Sequence, residues 1–391
     1  MSTAETSASR LELAAFGCFA VGVALIQFNI RAEILLGIGG ILWGVLAWRD
    51  GTRPVAPAFF TPLLVLAAVT AVGALLSADP LYSAARLKQF LLFLIVPMAM
   101  RVARGARASQ VIDVIIALGS AAAIYGVIQY VASTSYEDLL RNRPHGSLNH
   151  YMTYSGVLML VICAAVARLL FRDREWIWPT VALPALFVAL AATQSRNVWV
   201  GTAVAIGALL SIRRRVLLLA LPLLIVVAGA IAPASVRDRA LSMFDPAQNR
   251  DRVAMLKAGV AIVKDHPLFG VGMNMIPKVY LQYRTSDAVD SAEATGPETR
   301  SHLHNVPMQL AAERGLPALA VWLWFVVVVA RDLWRLIKSG STPAVAAAGF
   351  AAVIAMLAAG MFEHNFGDSE FLVLFLALIT LPFAAEVRTR A

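Results

Sequence analysis

Charge is scarce in this chain: Asp, Glu, Lys and Arg make up only 15% of its 391 residues, against about 25% in soluble globular domains. That excludes a disordered chain and an ordinary water-soluble enzyme. Cysteine is nearly absent. Cys18 and Cys163 both lie inside apolar runs, which argues against a structural disulfide. No Ala-x-Ala cleavage site follows the first apolar run, so that run reads as a retained helix. Acids are the scarcer sign, 24 against 33 Lys and Arg, and no Asp-x-Asp pair occurs. A divalent cation held by grouped hard oxygen ligands is therefore not expected.

What is abundant is apolar: 59% of residues, with mean hydropathy +0.73. A hydrocarbon core about 30 Å thick takes roughly 20 apolar residues per helix, so about 230 of them supply on the order of ten to twelve spans. The expected fold is an all-α polytopic membrane protein. Apolar runs fall at 12–29, 33–48, 57–77, 87–101, 110–131, 151–170, 176–194, 197–212, 216–232, 306–330, 343–362 and 370–385, twelve in all. The pair at 12–48 and the run at 87–101 are short for full crossings.

The net charge of +9 would suggest nucleic acid in a soluble domain. Here the basic residues flank apolar runs, so bilayer orientation is the better reading and no nucleic-acid partner is expected. With the N-terminus cytoplasmic, the inner segments hold 17 of the 33 basic residues, from Arg10 through the Arg213–Arg215 triplet to Arg388 and Arg390. The short outer loops hold only Arg31, Arg86, Lys88, Arg141, Arg143 and Arg196. Both termini are then cytoplasmic. The other ten basic residues lie between 233 and 314, mostly in one long outer segment, 233–305, within a single transmembrane domain, 1–391.

In that segment Asp245-Pro246 resembles a helix cap with proline in the first turn. Val253, Leu256, Val260 and Val263 recur at helical spacing, which predicts an amphipathic helix lying on the membrane surface or capping a cavity. It stops at Asp265-His266-Pro267, and Gly270 and Gly272 allow a tight turn. Residues 284–300 read as a polar loop.

All six histidines, at 145, 150, 266, 302, 304 and 364, fall on the predicted outer side, which places the chemistry there. Arg196 lies in a very short loop between apolar runs, where a guanidinium is costly unless it meets an anion; a bidentate phosphate contact suits it. The bland alternative is a residue snorkelling to the interface. His302-Leu303-His304-Asn305 precedes a long apolar helix. The His-x-His pair shows no third ligand at a telling spacing, so a general base fits better than a metal ligand. Arg141 to Tyr151 is dense in polar groups, including Arg143 and His150. Glu363 to Glu370 forms a polar outer turn that would order neighbouring loops by pairing with arginines; Asp368 and Glu370 there, and Glu137-Asp138, are its nearest approach to a carboxylate metal site.

Together these motifs resemble the O-antigen ligase and O-antigen polymerase superfamily over roughly 145–370. Four stretches carry the resemblance: Ser195-Arg196-Asn197-Val198-Trp199; Arg252 with the following helix and Asp265-His266-Pro267-Leu268-Phe269-Gly270-Val271-Gly272; His304-Asn305 spaced nine residues from Gly315; and Gly146-Ser147-Leu148-Asn149-His150-Tyr151-Met152-Thr153-Tyr154. Ala318 departs from the ligase signature, which usually has Gly, Thr or Tyr there.

The resemblance implies a GT-C-like, inverting, metal-independent glycosyltransferase without a cofactor. It would move O-antigen from undecaprenyl diphosphate to lipid A–core at the periplasmic face of a Gram-negative inner membrane. His304 would be the base and Arg196 and Arg252 the diphosphate ligands, with Arg143, His150, Arg284 and Asn305 as further substrate contacts. The nearest rival is an O-antigen polymerase. A secondary transporter would need charges or broken helices at mid-membrane, and Asp113 lies near an interface.

Overall fold

The computed structural model describes residues 3–28, 31–51, 53–132, 143–171, 178–284 and 302–387. Glu137, Asp138, Arg141, Asn142, Arg172, Arg174, the polar run at 285–300, Arg388 and Arg390 lie outside the described residues. Among the described residues every regular element is helical. The apolar runs become α1 (Thr3–Leu25), α2 (Ala32–Arg49), α3 (Phe60–Leu75), α4 (Pro80–Ala85) continuing through a 3₁₀ stretch (Arg86–Leu94) into α5 (Ile95–Val102), and α6 (Ala106–Ala132). Next come α7 (Tyr151–Leu170), α8 (Trp178–Ala192), α9 (Arg196–Arg213) and α10 (Ala220–Ile231). The long segment folds as α11 (Ala234–Leu241), α12 (Arg250–Asp265) and α13 (Ile276–Tyr283). Then follow α14 (Val306–Ser339), α15 (Pro343–Gly360) and α16 (Ser369–Glu386).

Eight of these segments are long and apolar enough to cross a membrane, and α3 and α8 are shorter apolar helices. The chain is an all-α polytopic membrane protein. Three helices form its centre: α7, α15 and α16 are each 72–78% buried by protein, whereas α2 is 22% buried. Small side chains let the central helices approach closely. A Cβ at Gly201 of α9 would lie 2.6 Å from the Met159 sulfur, and one at Gly349 of α15 would lie 2.8 Å from the Leu378 carbonyl of α16.

Polar pairs separate the two ends of the bundle. At one end Arg101 pairs with Asp50, Arg107 with Glu12 at 2.9 Å and Arg168 with Asp113 at 3.0 Å. The Ser341 N–H donates to Glu386 there at 2.8 Å. At the other, the loop end, α11 to α13 and the turn before α16 gather over the helix ends.

The run at 87–101, short as an α-helix, is lengthened by its 3₁₀ portion. A 3₁₀ helix rises about 2.0 Å per residue instead of about 1.5 Å. The composite Pro80–Val102 is 23 residues long and meets the length and hydropathy of a crossing.

The amphipathic helix of the long segment is α12. Val253, Leu256 and Val260 are exposed, while Ala254, Met255, Ala258, Gly259 and Ile262 are buried. The cause is closeness: α12 lies so near α14 that a Cβ at Gly259 would lie 2.5 Å from Met308 Cγ. Gly259 makes room for Met308 at the closest approach, and Met255 and Ile262 pack on either side of it in the same buried face. Asp245 does not cap this helix; it accepts the Ala247 N–H of a short 3₁₀ turn, and α12 begins at Arg250.

A backbone crossing fastens the long segment to the bundle. Helix α14 breaks at Gly315, with φ 83°, just before Pro317. Across the break the Val271 and Gly272 N–H groups donate to the Ala312 and Glu313 carbonyls, both at 2.9 Å. The Leu316 N–H donates back to the Pro267 carbonyl at 2.8 Å. A Cβ at Gly315 would stand 2.1 Å from the Leu268 oxygen, and one at Gly270 2.3 Å from the Glu313 carbonyl carbon. Both positions need φ above zero and no side chain.

Gly315→Ala should therefore cost about 2–4 kcal/mol, from backbone strain plus collision. Gly37 on α2, with open space where a Cβ would sit, serves as control; alanine there should be neutral or stabilise by up to about 1 kcal/mol. Thermal unfolding in detergent measures both, and equal melting temperatures would mean the crossing does not hold the segment.

Candidate active site

The loop end presents two adjoining clusters, one of imidazoles around a carboxylate and one of guanidiniums. The first is built where α14 begins. Asn305 caps that helix: its Oδ1 accepts the Met308 N–H at 2.8 Å, and its Nδ2 donates to the Met361 carbonyl at 2.9 Å. Gln309, one turn in, accepts the Leu303 N–H at 2.7 Å. Thus pinned at both sides, His304 adopts φ 49°, a left-handed conformation uncommon for a residue with a side chain.

That conformation turns the His304 ring onto Glu363 of the turn before α16. Nδ1 of His304 lies 2.9 Å from one carboxylate oxygen, and Nε2 of His302 lies 3.4 Å from the other. Burial alone would push the Glu363 carboxyl up. The His304 and His302 imidazoles, with the hydrogen bonds from His304 and the His364 N–H, outweigh it and hold the carboxyl below its ordinary range. An ionised Glu363 accepts from Nδ1–H of His304, which leaves Nε2 as the ring nitrogen not engaged by the carboxylate. Burial pushes His302 down to about 4, opposed by Glu363 and reinforced by His304, His150 and Arg252, so His302 is neutral at pH 7. His364 is also lowered, first by burial. Burial together with repulsion from Glu363 and Glu370 pushes the Asp368 carboxyl up to about 7, although the Thr153 hydroxyl donates to it at 3.3 Å.

The second cluster centres on Arg196, the first residue of α9 and buried. Its guanidinium donates to the Ser242 carbonyl at 2.7 Å, the Ser242 hydroxyl at 3.2 Å and Asn249 Oδ1 at 3.2 Å. None of these acceptors is charged. The cations acting on it are Arg239, Arg252 and Arg143. Arg239 also donates to the Gln194 carbonyl at 3.3 Å. Among the described residues no carboxylate pairs with Arg196 or Arg252. Arg196, held by neutral acceptors and with the charges of Arg239, Arg252 and Arg143 acting on it, offers a site for an anion.

The entry to α7 joins the clusters. His150 caps the helix through Nδ1, which accepts the Met152 N–H at 3.2 Å. Arg143 lies 4.6 Å from the Tyr151 ring centre. Gln129 of α6 fixes this loop by bonding His145 and Gly146 backbone groups at 2.8–3.1 Å. Since His150 and Arg252 both act on His302, the arginines and the imidazoles share one face.

The structure thus brings together His304, Arg196, Arg252, Arg143 and His150. Asn305 is occupied as a helix cap and a strut to Met361. Arg284 follows α13, where its charge acts on Tyr280. Glu363 is the third group that the spacing of His302 and His304 does not reveal, and it pairs with histidines rather than arginines. The ligand atoms of the three lie within 4.8 Å of one another, a spacing that also admits a divalent ion. Arg239, Ser242, Asn249 and Gln309 were not singled out in the sequence; only the crowding of basic residues at 233–314 pointed at Arg239.

An imidazole–carboxylate pair beside a cluster of guanidiniums, at one end of a membrane bundle, is an arrangement suited to group transfer on an anionic substrate. Residues 180–323 match the family described as O-antigen ligase. The family implies transfer of lipid-linked glycans. No curated protein matches the chain.

Arg196→Ala and Arg252→Ala should each weaken binding of a lipid diphosphate by about tenfold or more, and lysine should restore only part, because an ammonium lacks the planar fork. Binding to purified protein in detergent measures this, and unchanged affinity in both alanine variants would make the arginines structural.

Proposed function

We propose that the protein is an O-antigen ligase, an inverting glycosyltransferase that moves O-antigen polysaccharide from undecaprenyl diphosphate to a sugar hydroxyl of lipid A–core, completing lipopolysaccharide. The loop end then faces the periplasm of the Gram-negative inner membrane, with 233–305 as the large periplasmic loop and both termini cytoplasmic. The observation that carries this reading is the His304–Glu363 pair, 2.9 Å apart, beside Arg196, whose hydrogen-bond acceptors are all neutral and on which the charges of Arg239, Arg252 and Arg143 act.

In the proposed reaction Nε2 of His304 takes the proton of the acceptor hydroxyl as its oxygen attacks the anomeric carbon. The bond from that carbon to the diphosphate oxygen breaks, and its electron pair leaves with the diphosphate. Arg196, Arg252, Arg239 and Arg143 stabilise the charge that develops. Glu363 stabilises the imidazolium that forms. Attack in one step from the face opposite the leaving group inverts the anomeric centre.

The guanidiniums replace the divalent ion that other diphosphate-lipid transferases use, so the reaction is read as metal-independent. The spacing of His302, His304 and Glu363 favours one competing reading, a bound divalent cation. Excess chelator separates the two: activity should persist, and a loss restored by zinc, magnesium or manganese would place an ion on the three residues.

An O-antigen polymerase would use the same chemistry with a second lipid-linked glycan as acceptor. Loss of a ligase leaves polymer of many lengths on the lipid carrier and bare core, whereas loss of a polymerase leaves core with at most one repeat unit. A transporter is disfavoured because Asp113 is paired with Arg168 near the opposite end.

His304→Ala should lower transfer by about 10²–10⁴ while leaving donor binding intact. Glu363→Gln, which keeps shape but removes the charge that fixes the tautomer, should lower kcat by about 10²–10⁴ with little change in donor KM. Near-normal transfer from purified lipid-linked O-antigen to lipid A–core by folded His304→Ala protein would remove it from the mechanism.

A further inference from the structure

The reaction needs a second substrate, and none of the groups above is assigned to hold it. The 3₁₀ stretch from Arg86 to Leu94 draws attention first, because 3₁₀ runs longer than three or four residues are uncommon and often mark function. With three residues per turn, Arg86, Gln89 and Leu92 stack on one face; in an α-helix they would fan apart. That face lines a cavity of about 310 Å³, a volume suited to a small ligand group. Lys88 joins it from the same stretch, Asn274 from the turn after Gly272, and Gly367 and Ser369 from the turn before α16.

The cavity is basic. Arg86 and Lys88 are exposed, and among the described residues neither has a carboxylate partner. Arg86 donates to the Tyr82 hydroxyl at 3.3 Å. The nearby acid, Asp79, is engaged by Lys278 at 2.6 Å. Asn274 also donates to the Tyr82 hydroxyl, at 2.9 Å, which fixes its side chain at the rim. Asp368 and Glu370 flank Ser369 but do not line the cavity.

Its wall is the reverse side of the catalytic turn. Gln89 donates to the Gly367 carbonyl at 2.5 Å. A Cβ at Gly367 would meet His364 Nε2 at 2.5 Å, and His364 follows Glu363, the partner of His304. The same short turn thus holds the base on one side and closes the cavity on the other. The arginine cluster reaches the histidines through Arg252 and His150, whose charges act on His302; neither residue lines this cavity.

We infer that the Arg86–Lys88 cavity binds a phosphate group of the acceptor glycolipid, seating its free hydroxyl at His304 while the four arginines hold the donor. This inference rests on the ligase reading for the identity of the acceptor, but its binding test does not need transfer to occur.

The test uses full-length protein in nanodiscs of zwitterionic lipid, with lipid A–core and the same glycolipid stripped of phosphate as probes. The double variant Arg86→Ala/Lys88→Glu should bind the phosphorylated probe about 10- to 100-fold more weakly, as expected for two lost charge-assisted contacts. The stripped probe should bind wild type and variant alike. In transfer assays the acceptor KM should rise by a similar factor, with donor KM and kcat unchanged. Arg86→Lys/Lys88→Arg, which keeps both charges, should retain most of the binding and guards against a folding defect. Equal binding of both probes by wild type would overturn the inference. So would displacement of the phosphorylated probe by phosphatidylglycerol at matched concentration, which would make the cavity a site for bulk headgroups. Phosphate-dependent binding without any transfer would sink the ligase reading and leave the cavity assignment standing.

Discussion

The backbone crossing at Gly270 and Gly315 is the constraint on which the rest of the loop end depends. Two chain segments meet there with no side chain between them, and three amide hydrogen bonds join them. A helix cannot offer free carbonyls on its flank unless its own ladder is broken, and Gly315 with Pro317 breaks it. The freed carbonyls of Ala312 and Glu313 take the turn after α12. That contact seats α12 on α14, so Arg252 faces the histidines. It also sets Asn274 at the rim of the basic cavity. The spacing between His304-Asn305 and Gly315 therefore has a mechanical meaning: it is the length of helix between the His304–Glu363 pair and the crossing that fastens the long segment.

Electrostatics at this end follow from how few acids there are. Glu363 is committed to two imidazoles, and Asp79 to Lys278. Arg196 is held by a carbonyl, a hydroxyl and an amide. Neutral acceptors orient a guanidinium without cancelling its charge, so the field remains available to an incoming anion. At the opposite end Arg101, Arg107 and Arg168 each have an acid.

Much of this was legible in the sequence, for reasons that can be named. Apolar runs report helices directly, and each of the twelve coincides with one. Arg196, Arg252 and His304 stood out because each is a costly or reactive group in a short or matched motif. Which face of α12 packs on α14 was not legible, since hydropathy does not say how near the neighbouring helix lies; Gly259, with Met308 against it, marks the closest approach. The 3₁₀ geometry of Arg86 to Leu94 leaves no periodic trace that distinguishes it from a short α-helix. The partnership of Glu363 with His304 spans 59 residues and two membrane helices, so only the fold could reveal it.

That same separation fixes when in its synthesis the protein becomes competent. The arginines of the long segment leave the ribosome before α14, and His304 precedes two further helices. Glu363 arrives last, and it closes the site only when α15 has been inserted and the chain has turned back into α16. Until then the imidazole has no fixed proton and the basic cavity lacks its Gly367 wall. On the proposed reading, a nascent or stalled chain that carries every arginine of the site but not yet Glu363 would be silent, and activity would begin with the final pass.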